Sequence, residues 1–348
     1  MNSEKDYYIE SLEKASVNEI INLLSKSLSN TGISAKTHNF WNWKHNFNPF
    51  GPSLGLIAKS RSNTKLVSIR AFLLWKFLNE KGVEVKAIRP VDTVTDKEWR
   101  GRGLFKSLTL KGIKNFSVSD RRLIFNTPNS NSLPGYIKMG WKVSEELQLS
   151  FRFTGVIKLV CDFALNCLPG LEPNNRYFSS NVVRNFSSLD ASELDEVISF
   201  MLECEKKRHS IGLRTARSYD YFYWRYISNP NIDYFVYTSR GLNGKLDKLA
   251  IVRRDSRNLL NGVVLNEMYT FDNTIESYKL LVNELLKSLN VSYIICHFSK
   301  GSKELKSLNS LGFRYVRTMN LAARLLNSED KCFNALKWDL TFSDLEVF

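Results

Sequence analysis

The sequence predicts an α/β protein made of two successive copies of one fold, each a twisted mixed sheet flanked by helices. Three observations carry that expectation. Strand-like apolar runs alternate with amphipathic helical stretches along the chain. Trp43-Lys-His-Asn-Phe-Asn-Pro49 recurs as Trp224-Arg-Tyr-Ile-Ser-Asn-Pro230, with the Trp, a basic residue, Asn and Pro in register, and Met139-Gly-Trp141 is echoed in the same order by Leu311-Gly-Phe313. At 348 residues the chain is long for one compact domain and sufficient for two cores.

In the first copy a strand is expected over residues 7–10 and a helix over 17–28. A second helix over 37–46 packs its tryptophans and is stopped by Asn48-Pro49. Strands follow over 54–59, 66–77 and 83–94, and a helix over 103–116 opens directly on a glycine turn. Residues 123–125 read as a short buried strand that Asn126-Thr-Pro-Asn breaks. A short helix over 133–138 ends at Gly140, and a strand over 143–151 closes the copy. In the second copy Asp190 and Glu193 form a capping box for a helix to about residue 203. A strand over 234–237, a long strand over 263–271, a helix over 274–289 and a buried strand over 291–298 follow. The expected division is a first domain over 1–152, a linker helix and breaker-rich connection over 153–175, and a second domain over 176–348.

Composition narrows the function. With 43% hydrophobic and 24% charged residues this is the make-up of an ordinary soluble protein. The net charge of +14 is uneven, since residues 1–150 carry 23 Lys and Arg against 13 Asp and Glu. That excess suits a small polyanion, and equally RNA or an anionic membrane surface; a basic face serving solubility alone is the plainer alternative. The five cysteines are scattered and mostly lie in apolar runs, which reads as reduced core thiols in the cytoplasm. The four histidines show no zinc-site spacing, so no metal is expected. The N-terminus lacks an apolar signal core. The stretch 156–168 is too short and too charged to span a bilayer and reads as a linker helix, with membrane-surface attachment the lesser reading.

The sharpest local feature is Arg100-Gly101-Arg102-Gly103, placed between a strand and a helix. A glycine turn opening a helix aims unpaired backbone N–H groups and the positive end of the helix dipole at one spot, so a pyrophosphate fits there. The donors expected are the N–H groups from Gly101 through Leu104 to Phe105, with Arg102 reaching a phosphate. Solvated turn residues are the plainer reading of Arg100 and Arg102.

The turn, followed by Tyr136-Ile-Lys-Met-Gly-Trp141, resembles the GNAT superfamily of acyl-CoA-dependent N-acyltransferases. Its pyrophosphate loop reads Arg/Gln-x-x-Gly-x-Gly/Ala, which Arg100 and Gly103 match while Phe105 replaces the last small residue. Tyr136, Gly140 and Trp141 match its later Tyr-x-x-x-Gly-Phe segment. The resemblance implies acetyl-CoA or another acyl-CoA as co-substrate. It also implies that Asp92, Thr93 and Val94 bond the pantetheine arm through main-chain groups, and that Tyr136 is the general acid for the leaving thiolate. Asn129 or Asn131 would bond the pantetheine, against ordinary asparagine turn chemistry. Asp92 is the nearest carboxylate for a general base and Glu84 lies earlier on the same run; a structural salt bridge is the plainer role for both. Trp41 and Trp43 are candidates to line an acceptor cleft.

The second copy has no equivalent turn after Tyr269-Thr-Phe-Asp272, so no coenzyme is expected there. Similarity to tandem GNAT proteins implies a cytoplasmic N-acetyltransferase with a small amine acceptor, an amino sugar or nucleotide-linked amino sugar of surface-polysaccharide synthesis. The alternatives are a Fem-type aminoacyl-tRNA-dependent transferase and a non-catalytic module that binds coenzyme or nucleic acid. The turn makes nucleic acid the less expected partner.

Overall fold

The computed structural model describes residues 6–28, 37–116, 123–155, 160, 177–178, 182–257, 260–326 and 336–345. The chain forms two interleaved compact units. The first comprises Met1–Glu145, Asn320–Leu336 and Val347–Phe348, and the second Glu146–Met319 and Lys337–Glu346. This differs from the contiguous division at 152 and 176, because strand pairing rather than sequence position decides membership. The linker expected over 153–175 falls almost wholly outside the described residues.

The elements of the first copy are β1 (Tyr7–Ser11), α1 (Val17–Leu28), α2 (His38–Trp41), β2 (Leu54–Ser60), β3 (Leu66–Leu78), β4 (Glu84–Thr95), α3 (Leu104–Phe116), β5 (Leu123–Asn126), α4 (Leu133–Lys138) and β6 (Lys142–Phe153). Helix α1 starts at a reciprocal cap in which the Ser16 hydroxyl accepts from Glu19 N and the Glu19 carboxylate from Ser16 N. Helix α2 is capped by Thr37 and runs into a π-helical turn, Asn42–Asn46, that buries Trp43, Lys44 and His45 together. Strands β1 to β4 pair antiparallel in chain order, β4 pairs parallel with β5, and residues Ala322–Leu325 pair antiparallel with β5. The core joins Phe72, Ile88 and Ile124 to Tyr136, Met139 and Trp141. Leu104 and Leu108 of α3 pack with Tyr7, Leu56, Ala58 and Val67.

The second copy contributes β7 (Val183–Asn185), α5 (Ala191–Lys207), β8 (Arg214–Thr215), α6 (Tyr219–Phe222), β9 (Tyr234–Arg240), β10 (Leu246–Arg257), β11 (Leu260–Thr270), α7 (Ile275–Ser288), β12 (Tyr293–Cys296), α8 (Lys303–Ser310), β13 (Arg314–Leu325) and α9 (Phe342–Leu345). The expected Asp190–Glu193 capping box is present. A second π turn, Tyr223–Ile227, follows α6 and matches the first at the repeated Trp motif. The sheet runs β6-β12-β11-β10-β9-β7, with β11 and β12 parallel as β4 and β5 are. Cys204 and Cys296 are buried free thiols, and burial pushes the Cys204 thiol up to about 12.

The segment from Trp338 onward belongs to this unit. Trp338 bridges to Leu213, and Thr341 to Phe298 just beyond β12. The Thr341 hydroxyl donates to Glu267 Oε1 at 2.6 Å. A Cβ at Gly212 would overlap the Lys337 main chain, so the close approach of this segment requires glycine. Strand β11 pairs with β12 only from Gly262 to Leu265. The terminal segment thus occupies the place where the later residues of β11 diverge from β12.

His297 is 2% exposed and its Nδ1 lies 2.9 Å from the Gln148 carbonyl. Burial lowers its pKa from 6.5 to about 4. A histidine whose folded pKa lies below its unfolded one contributes stability above the unfolded value, and loses it as pH falls toward the folded value. Going from pH 7 to pH 5 is expected to remove about 2 kcal/mol through this residue. The check is the urea midpoint against pH: His297→Gln should flatten that part of the slope, and an unchanged slope would refute the assignment.

Candidate functional site

The site is built where β4 leaves β5. Their parallel pairing covers Ala87 with Leu123 and Ile88 with Ile124, whereas β4 continues along β3 as far as Thr95. The β3–β4 register shifts between Ile69, opposite Val94, and Ala71, opposite Val91, so Asp92 and Thr93 face Arg70 as a bulge. Asp92 is forced to φ +41°, a left-handed conformation that costs a side-chain-bearing residue about 1 kcal/mol. Its carboxylate is held there by Lys44 Nζ at 2.6 Å and His45 Nε2 at 3.0 Å. His45 Nδ1 meets Ser53 Oγ at 2.9 Å, and the Trp41 ring lies tilted against the imidazole with centroids 3.8 Å apart. Asp92 is therefore an anchored, buried carboxylate in a Ser53–His45–Asp92–Lys44 chain of contacts rather than a free base. Glu84 sits at the far end of β4 in an exposed pair with Lys76.

The next residue reaches a different assembly. Thr93 Oγ1 accepts from Arg70 Nη1, and Arg70 Nη2 donates to the Tyr136 hydroxyl at 2.8 Å. Tyr136 is 5% exposed and meets Phe105 edge-on at 5.5 Å. Gly140 at φ +92° turns the chain after α4, so that Trp141 N reaches the Tyr136 carbonyl. Val94 is buried, and its carbonyl accepts from the Ser68 hydroxyl at 3.0 Å.

Gly101 and Gly103 take φ +79° and +74°, and a Cβ on either would meet no atom within 4 Å. Gly103 directly precedes the 13-residue α3 and supplies no side chain to cap its first N–H groups. The second copy shows the contrast: α7 is capped by Thr274, whose hydroxyl accepts from Ser277 N, and Asp272 in turn accepts from Thr274.

The remaining expected residues divide. Leu104 is core and Phe105 lines the turn beside Arg70 and Tyr136. Arg100 bonds the Thr95 carbonyl. Arg102 lies over Trp99 at 4.4 Å and pairs with Asp6 at 3.1 Å, both side chains being exposed. The Asn129 side chain accepts from both Ser132 N and Ser132 Oγ, the turn chemistry that precedes α4, and Asn131 is exposed. Asn126, at the end of β5 and 6% exposed, presents a buried amide oxygen without a hydrogen-bond partner and is the better placed asparagine. Trp41 and Trp43 are buried and do not line an open cleft. Lys44, His45, Ser53 and Arg70 are missed by sequence reasoning, although the repeated Trp-basic motif carries a signal: Tyr226, two residues after Trp224, bonds Glu267 beside the β10–β11 bulge as His45 bonds Asp92. Among the described residues no cluster of His, Cys, Asp or Glu could hold a metal, and no described helix is long and apolar enough to cross a membrane.

The overall fold is similar to that of solved N-acyltransferase structures. A probable N-acyltransferase of Enterococcus faecalis V583 matches with a TM-score of 0.61 at 16% identity, over 92% of this chain and 73% of its own. The chain has the GNAT fold. A GCN5-related N-acetyltransferase of Anabaena variabilis matches with a TM-score of 0.62 at 11% identity, over 92% and 73% of the two chains. Saccharomyces cerevisiae N-myristoyltransferase, solved with bound myristoyl-CoA and inhibitors, matches at 0.59 and 12%, over 93% and 81%. No family model matches the sequence, and no curated protein sequence matches it.

Proposed function

We propose that this GNAT-fold chain transfers an acyl group, acetyl by default, from coenzyme A to the amine of a small acceptor, an amino sugar or nucleotide-linked amino sugar of surface-polysaccharide synthesis in the cytoplasm. The observation that supports this most is the side-chain-free helix start at Gly101–Gly103 beside the diverging β4, where a pyrophosphate and a thioester arm fit in sequence. On this reading the turn N–H groups hold the phosphates, and main-chain groups of Asp92–Val94 with the Asn126 amide meet the pantetheine. Tyr136 protonates the departing thiolate. No metal takes part. An aminoacyl-tRNA donor is the second reading, favoured by the net charge of +14.

Coenzyme A and acetyl-CoA are expected to raise the melting temperature by mass action, before any acceptor is known. Stabilisation would justify screening amino sugars; no shift at millimolar coenzyme would remove the acyl-CoA reading and bring aminoacyl-tRNA forward. Tyr136→Phe is expected to lower kcat about 100-fold with KM for acetyl-CoA unchanged, as loss of a general acid does. A variant with wild-type kcat would remove Tyr136 from the chemistry.

A further inference from the structure

Arg70 is 1% exposed, and its guanidinium lies against the rings of Phe72, Phe105 and Tyr136 at 5.5, 5.1 and 5.4 Å. Its hydrogen-bond partners are the hydroxyls of Thr93 and Tyr136, and its Nε is buried without one. Among the described residues no carboxylate pairs with it. The buried Arg208, Arg214 and Arg217 of the second unit each face Glu or Asp. A guanidinium withdrawn from water without a counter-charge costs several kcal/mol. This one stands where three parts of the candidate site meet: the β4 bulge through Thr93, the first turn of α3 through Phe105, and α4 through Tyr136.

We propose that Arg70 is the counter-charge for the tyrosinate formed when Tyr136 protonates the leaving group, an inference that rests on the acyl-transfer reading. As the amine nitrogen attacks the thioester carbonyl, the C–N bond forms, the C–S bond breaks and its electron pair passes to sulfur. The Tyr136 hydroxyl gives its proton to that sulfur, so the coenzyme departs as a thiol and the tyrosine is left as phenolate. Arg70 Nη2 already donates to the phenol oxygen at 2.8 Å. The phenol's own hydrogen is thus free for the donor, and the new negative charge forms against a fixed positive one. The attacking amine releases its proton to water, and water returns one to the phenolate. Arg70 acts through Tyr136 and is a positioning residue.

The test compares two donors, with hydroxylamine as the amine. With acetyl-CoA, Arg70→Met is expected to lose about 100-fold in kcat while coenzyme A still stabilises the variant. With S-(4-nitrophenyl) thioacetate, whose thiolate departs without a proton, the loss is expected to be no more than a few-fold. Tyr136→Phe should show the same donor dependence, and the double variant should be no worse than the worse single one. Equal losses with both donors, or losses that multiply in the double variant, overturn the role of Arg70 and leave the acyl-transfer reading standing. A wild-type protein that coenzyme A does not stabilise overturns that reading itself. Should Arg70→Met not fold, Arg70→Lys carries the same comparison, its loss again confined to the coenzyme donor.

Discussion

Gly103→Glu is expected to abolish both stabilisation by coenzyme A and acyl transfer while lowering the unliganded melting temperature by a few degrees. Position 103 sits at φ +74°, where any side chain costs about 1–2 kcal/mol. The added Cβ meets no atom within 4 Å, so the carboxylate projects into the open face of the turn. There it would stand among the N–H groups offered to the phosphates and repel them. Gly82 separates strain from chemistry: it lies in the β3–β4 turn at φ +73° with equally open surroundings. Gly82→Glu should carry the same backbone penalty and keep the full response to coenzyme. If Gly103→Glu retains a wild-type shift, the turn is not an anion site.

Arg217→Met is expected to destabilise the second unit by about 3–5 kcal/mol, a large share of a domain's stability. The Arg217 side chain is fully buried. It donates to Glu205 at 3.0 Å, Glu267 at 2.8 Å, the Tyr269 hydroxyl at 2.6 Å and Asp344 at 3.2 Å. The guanidinium holds the Asp344 carboxyl below its usual range despite burial, while burial and the neighbouring Asp344 charge raise that of Glu267. Methionine fills much of the volume but removes the guanidinium that Glu267 and Asp344 face away from water, while Glu205 keeps Arg214. Arg240 pairs with Glu196 at 2.6 Å with both side chains about half exposed, so Arg240→Met should change stability by less than about 1 kcal/mol. Calorimetry on both variants checks the contrast, and similar losses would mean the buried cluster contributes no more than a surface pair.

The features legible in the sequence are those set by neighbouring residues. The glycine turn, the Asp190 cap and the Gly140 helix stop each depend on a few adjacent positions, and each lies where the sequence puts it. Strands β10 and β13 are not anticipated. Strand β10 carries Lys248, Arg253, Arg254 and Asp255 at half-buried positions around a buried Leu249–Val252 run, and β13 is exposed over its first half and buried only at Leu321–Ala323, so neither shows one clean period. The site residues found by structure alone depend on register. Arg70 reaches Tyr136 across 66 positions and His45 reaches Asp92 across 47, and no local pattern encodes such meetings. Asn129 and Asn126 differ in the same way: both flank the same break, and only the β5–β13 pairing makes one buried and the other a turn former.

The interleaving of the two units bears on how the protein is made. A ribosome completes residues 1–145 early, yet the last strand of that sheet is supplied by residues 320 onward, and the second unit is finished by Lys337–Glu346. Neither half can reach its native state while the chain is still being extended through the middle of the sequence. Both must wait, with open sheet edges, until residues 320–346 have been made, so dividing the gene near codon 150 would yield two fragments that each lack a strand the other encodes.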